Sequence, residues 1–147
     1  MKITDALLAE HVVFHNVFDH MERALPRLKT AAEVKVLASL MESLLRDHSR
    51  TEEELVFAPL AHCLEQIGQR DTFEQEHEEI DGALLKVHDA QRLAEARRLL
   101  TAAVQASRKH FVREERIVFP LAEEFMKADT LIKLGVAWTR QRESVEK

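Results

Sequence analysis

Eight histidines in a chain of 147 residues that has no tyrosine are the side chains best suited to chemistry here. Four of them carry a carboxylate four residues on: His15–Asp19, His48–Glu52, His77–Asp81 and His110–Glu114. On a helix that spacing puts both groups on one face, one turn apart. A single such pair is ordinarily a solvated surface pair of little energetic weight. It can also be a core histidine hydrogen-bonded to its acid. Burying four imidazoles and two carboxylates together demands full hydrogen bonding to offset desolvation. A bound cation removes that demand, because its charge compensates the carboxylates and the lone pairs are used. Imidazole suits iron, zinc, copper and nickel, and carboxylate adds affinity for harder ions.

Two of the four pairs recur in matched surroundings. Glu10-His11 returns as Glu76-His77, and the stretch from His48 through Glu52, Phe57 and Pro59-Leu60 returns from His110 through Glu114, Phe119 and Pro120-Leu121. His11 and His48 are 37 residues apart, and His77 and His110 are 33 apart. Each spacing suits one helical hairpin, so the chain reads as a hairpin and its copy. Two copies make a pseudo-twofold bundle that can bring four histidines to one level, with donors enough for two ions.

The elements that must position them follow from caps and apolar rhythm. Thr4 or Asp5 opens a first helix, which Pro26 closes. Thr30-Ala31-Ala32-Glu33 has the form of a capping box, and Val34, Leu37, Leu40, Met41, Leu44 and Leu45 lead on toward a stop at Gly68. Asp71-Thr72-Phe73-Glu74 starts a third helix, Asp89 caps a fourth, and Asp129 begins a shorter fifth with Leu131, Leu134 and Trp138. Pro59 and Pro120 should kink or end their helices. The expected fold is all-α: an antiparallel up-down four-helix bundle of two pseudo-symmetric hairpins, about 4–68 and 71–127, plus a C-terminal helix at about 129–145, forming a single domain over 1–147.

Composition agrees. There are 3 Gly and 3 Pro, together about 4% against an average near 12%, far too few for the turns of an all-β domain. The net charge of −5 carries no basic surplus, so no nucleic-acid partner is expected. The longest apolar run, Leu55 to Ala61, is too short to cross a bilayer, and Lys2, Asp5, Glu10 and His11 interrupt any leader-like core. A lone cysteine, Cys63, forms no internal disulfide, and a cytoplasmic location is expected. Cys63 lies too far beyond Glu52 along a helix to share its site.

Competing two-metal patterns fit poorly. Only Glu74-Gln75-Glu76-His77 has the Glu-x-x-His form that ferritin-like bundles use twice, and no His-Glu-x-x-His of a zinc protease occurs. The doubled pattern Glu-His…His-x-x-x-Glu-Glu…Phe-(x)-Pro-Leu resembles the hemerythrin-like, or HHE cation-binding, family over about Leu7 to Leu121. The resemblance implies a four-helix bundle with two non-haem irons bridged by oxide or hydroxide. Its matching ligand positions are His11, His48, Glu52, His77, His110 and Glu114, with Glu52 and Glu114 bridging. Oxygen carriers of the family add a fifth histidine from a His-x-x-x-His on the third helix. This chain has Asp81 there, and its His-x-x-x-His lies on the first helix, from His11 to His15. Exchanging the hairpins makes His15 the expected fifth histidine, with Asp81 a further ligand or an acceptor orienting a ring N–H. One iron would then be full and the other, on His77 and His110, would keep an open place. Without His15 or Asp81, both irons would be open and the centre would be a reactive one.

His20, His62 and His88 lack repeat partners and read as surface residues; Glu53, Glu54 and Glu115 read as solvated. The leading expectation is a non-enzymatic protein that binds, stores or senses dioxygen. The alternatives are stress-response chemistry on peroxide or nitric oxide, or iron handling, at the same metals, and a helical interaction module with a structural metal. A protein partner is not identified by the sequence.

Overall fold

The computed structural model describes residues 1–144. Its helices are α1 (Ile3–Ala24), α2 (Ala31–Glu52), α3 (Ala58–Gln66), α4 (Arg70–Asp89), α5 (Leu93–Arg113), α6 (Phe119–Phe125) and α7 (Ala128–Ser144). No strand occurs among the described residues. The last position of the expected C-terminal helix, Val145, lies outside them. α2–α3 and α5–α6 are each one interrupted rod. With α1 and α4 they make four rods joined by connections too short to carry the chain back along a 30 Å helix, so neighbours run antiparallel.

The core is two apolar clusters stacked along the bundle axis. One contains Phe14, Phe18, Met41, Leu45, Ile80, Leu100 and Phe111. The other contains Ile3, Leu7, Val56, Leu60, Phe73, Val118 and Leu131. In every rod the break between the clusters falls at a histidine or glutamate: His11 lies between Leu7 and Phe14, His48 and Glu52 between Leu45 and Val56, His77 between Phe73 and Ile80. Each fully buried Leu, Ile or Phe contributes about 1.5–3 kcal/mol of transfer free energy. The apolar layers above and below therefore hold the polar layer in place.

The two prolines act differently from expectation. A π-helical turn, Glu53–Phe57, precedes Pro59, and a second, Glu114–Val118, precedes Pro120. In each the bond steps back five residues, from Ala58 N–H to the Glu53 carbonyl and from Phe119 N–H to the Glu114 carbonyl. A proline ring crowds the carbonyl four residues earlier, and one extra residue in the turn accommodates it. The rod continues, widened, directly after each glutamate of the repeat.

Some boundaries differ as well. Asp89 is the last residue of α4, and α5 starts at Leu93 after Arg92, which provides no side-chain cap. Thr30 caps α2 by accepting from Glu33 N–H at 3.2 Å, as expected. The Glu33 carboxylate, however, takes the Thr30 hydroxyl and Lys29 N–H, so the reciprocal half of the box is shifted by one residue. Gly68, at φ 71°, ends α3 as expected. Gln69 N–H bonds to the Leu64 carbonyl and Gly68 N–H to that of Glu65, closing the helix end in a left-handed turn that suits glycine.

Candidate metal centre

At the middle of the bundle, six side chains from four rods converge. His11 comes from α1, His48 and Glu52 from α2, His77 from α4, His110 from α5, and Glu114 from the turn after α5. His11, His48 and Glu52 form one group whose ligand atoms all lie within 4.8 Å of one another. Glu52, His77, His110 and Glu114 form a second on the same criterion, so Glu52 belongs to both. Glu114 also approaches the first group, 3.9 Å from His11 Nε2. All are buried except His77, which is half-buried.

The donors are aimed at shared space. Both oxygens of Glu52, both oxygens of Glu114 and both ring nitrogens of His110 are buried without a hydrogen-bond partner. His110 Nε2 comes within 3.0 Å of Glu114, and His48 Nε2 within 3.4 Å of Glu52, yet neither contact has hydrogen-bond geometry. His11 Nε2 and His48 Nε2 face each other at 3.2 Å. An unsatisfied buried polar atom costs about 1–3 kcal/mol, so without a cation the centre is strained. Imidazole and carboxylate lone pairs converging on one space are what a transition-metal cation requires.

The protonation pattern shows the same strain. Burial raises both glutamates. The charge of His48 then pulls Glu52 well below the usual carboxylate range, while the adjacent Glu52 drives Glu114 further up. Burial opposes protonation of His48, but Glu52 and Glu10 overcome it and raise its pKa to about 9. Burial and repulsion from His77 push His110 down to about 3. Glu52, Glu114, His48 and His110 settle on compromise charges that a cation would relieve.

Two outer carboxylates orient rings by hydrogen bonds, and a third lies beside His110. His48 Nδ1 donates to Glu10 at 3.2 Å, and His11 Nδ1 donates to Glu115 at 3.3 Å. Glu76 lies 3.5 Å from His110 Nδ1. An ionised carboxylate only accepts, so it fixes the N–H on Nδ1 and leaves Nε2 as the ligand atom. Glu115 is thus not merely solvated. Glu10 and Glu76 are functional positions that the sequence reading passed over, although both stand in the repeated Glu-His pair. Each reaches the histidine of the neighbouring helix, not the one beside it in sequence.

His15 is not brought into either group. It is half-buried, Arg108 Nη1 donates to its Nδ1 at 3.1 Å, and Arg108 is tied in turn to Asp19 and Glu22. Asp81 is exposed and stands outside both groups, lining a cavity beside His77. His20 and His62 are exposed, as expected, whereas His88 is half-buried and bridges to Glu42 on α2 at 2.9 Å.

Cavities approach the centre from two sides. A cavity of about 60 Å³ reaches His77 and His110 between Leu45, Ser49, Ile80 and Phe111. Leu45, Ser49 and Asp81 also line a wider surface groove that extends to Arg46 and Leu85. On the other side Phe111 covers His11, stacking at 4.1 Å, and Phe14 meets the edge of His48 at 4.9 Å, while a cavity of about 510 Å³ between Glu10, Leu44, Asp47 and Trp138 borders His48. The repeat explains why His11 is covered and His77 is not. Ser49 follows His48 as Phe111 follows His110, so the place that a phenyl ring fills beside His11 is left vacant by a serine beside His77.

Fold and site together define a helical bundle that carries a histidine- and carboxylate-lined cation centre between two hairpin repeats. A family model, the hemerythrin HHE cation binding domain, matches residues 2–122, and the chain belongs to that family. No curated protein and no solved structure matches the chain.

Proposed function

We propose that the chain holds two non-haem iron ions and binds a small ligand, dioxygen first among candidates, on the His77–His110 side. His11, His48 and Glu52 would hold one ion, and His77, His110 and Glu114 the other, with Glu52 between them. The observation that carries this reading is six buried polar atoms without partners, with a small cavity opening on His77 and His110. Bound iron would supply the redox chemistry. The chain supplies orientation through Glu10, Glu76 and Glu115, and it limits water through Leu45, Ile80 and Phe111. Apolar walls of that kind disfavour proton delivery to a bound ligand and so favour its unchanged release.

A second reading, reaction with peroxide or nitric oxide, is favoured by one observation: His15 lies apart from the centre, bonded to Arg108. His11, His48 and Glu52 would then hold the first ion without a further histidine. The test is metal analysis followed by anaerobic reduction and oxygen titration, read by absorption spectroscopy. Two irons per chain, with an oxygen-dependent band that disappears on degassing, is the expected result. Two irons that oxidise without such a band would support the second reading, and a chain without bound metal would refute both.

A further inference from the structure

The two outer carboxylates of the repeat, Glu10 and Glu76, are held by different means. Arg113 Nη1 donates to Glu76 at 2.7 Å, from the position three residues after His110. The matching position three residues after His48 is Thr51, which carries no charge. The missing guanidinium is supplied from α7. Arg142 donates to both oxygens of Glu10, at 3.1 Å from Nε and 2.9 Å from Nη2, and its Nη1 donates to Thr51 Oγ1 at 2.8 Å. Trp138 Nε1 adds a further bond to Glu10 at 2.9 Å, and Arg142 lies over the Trp138 ring. The family match ends at residue 122, before α7 begins at Ala128.

We propose that α7 is a working part of the metal centre: Arg142 and Trp138 are positioning residues that lock Glu10 onto His48 Nδ1, replacing the arginine that Thr51 displaced from the repeat. The inference rests on the metal reading above. Glu10 is part-exposed and bonded to four donor groups, of which only His48 Nδ1 belongs to the bundle proper. Without the α7 donors its carboxylate is free to turn to solvent, and His48 loses the acceptor that fixes its tautomer and ring plane. Undocking of α7 would therefore loosen the ion held by His11 and His48 and leave the ion on His77 and His110 unaffected, because Arg113 is covalently part of that hairpin.

The test uses the full chain loaded with ferrous iron under anaerobic conditions and follows transfer to a colorimetric chelator, together with the midpoint potential. Arg142→Gln and Trp138→Phe change part-exposed side chains and keep the fold. Arg142→Gln and Glu10→Gln should each release half of the iron about tenfold faster than the unaltered chain, the scale of lost outer-sphere contacts. Trp138→Phe should act in the same direction. The Arg142→Gln and Glu10→Gln double variant should be no faster than Glu10→Gln alone, since one path carries both effects, and potentials should shift with release. Adding Thr51→Arg to Arg142→Gln should slow release again. Release by Arg142→Gln within twofold of the unaltered chain, or additive effects in the double variant, would overturn the proposal while leaving the metal reading intact. An unaltered chain that binds no iron would overturn both.

Discussion

Replacing Glu114 by methionine should move stability in opposite directions with and without metal. In the metal-free chain both Glu114 oxygens are fully buried and unpartnered, and burial with the adjacent Glu52 charge favours the protonated carboxyl. Each unsatisfied acceptor costs about 1–3 kcal/mol, and methionine fills a similar unbranched volume without either. Relieving two such acceptors, offset by the imperfect fit of the new side chain, leaves a net gain. A gain of about 2 kcal/mol is the working value, and in a chain of this size about 2–4 °C accompanies each kcal/mol, so the melting temperature in chelator should rise by about 4–8 °C. The same variant removes a donor from the second group, so the stabilisation that metal gives the unaltered chain, about 2.7 kcal/mol at a hundredfold excess over Kd, should largely vanish. Calorimetric melting in chelator and in excess ferrous iron, with metal analysis, gives both numbers. A fall in the metal-free melting temperature, or retention of the full metal-dependent rise, would refute the reasoning that these atoms are strained for lack of a cation.

Other outcomes follow from the same geometry. Ser49→Phe should fill the 60 Å³ cavity beside His77 as Phe111 fills the opposite side; spectral changes on adding azide to the loaded chain should slow or disappear while metal content is unchanged. His15→Ala should keep the full metal complement, since His15 is bonded to Arg108 outside both groups, and loss of an ion on metal analysis would show that it turns inward to ligate. Gly135→Ala would drive a methyl group into the Met1 carbonyl, so α7 should be displaced, at about 1–3 kcal/mol for overpacking, measurable by melting. Metal uptake at pH 7 should release protons, chiefly from His48, whose pKa is raised to about 9 when metal-free. Because His48 is raised from 6.5 to about 9, its contribution to metal-free stability is complete below 6.5 and lost as pH rises through 9, while competition with metal weakens over the same window. Affinity should therefore climb between pH 6.5 and 9 in titrations, and a flat profile would contradict the protonation pattern.

The bundle and most of its centre were legible in one dimension for definite reasons. A helix returns to the same face every three to four residues, so Ile3, Leu7, His11, Phe14 and Phe18 declare one buried stripe and His48–Glu52 one inward pair. Duplication added the second clue, because a motif written twice at hairpin spacing places its copies at one level. Thr30 and Gly68 marked helix ends through local backbone bonding alone. Asp89 misled because an aspartate is a strong start signal, whereas here it ends α4, between Val87 and Ala90, which are buried in the core. The π-turns at Glu53 and Glu114 were hidden for a related reason: proline signals a disturbance, but only the continuing core contacts of Val56 and Val118 decide that the rod widens and does not break.

What the sequence alone determined was residue type, helix phase and repeat, and these suffice for the all-α fold and for the six converging histidine and glutamate positions. What the tertiary structure decided was every relation between rods, because the rotation and axial shift of one helix against another are set by side-chain packing across the interface. Those relations send Glu10 to His48 and Glu115 to His11. They turn His15 toward Arg108, leave Ser49 opposite a void where Phe111 is opposite a ring, and bring Arg142 from the far end of the chain to the place that Thr51 left uncharged.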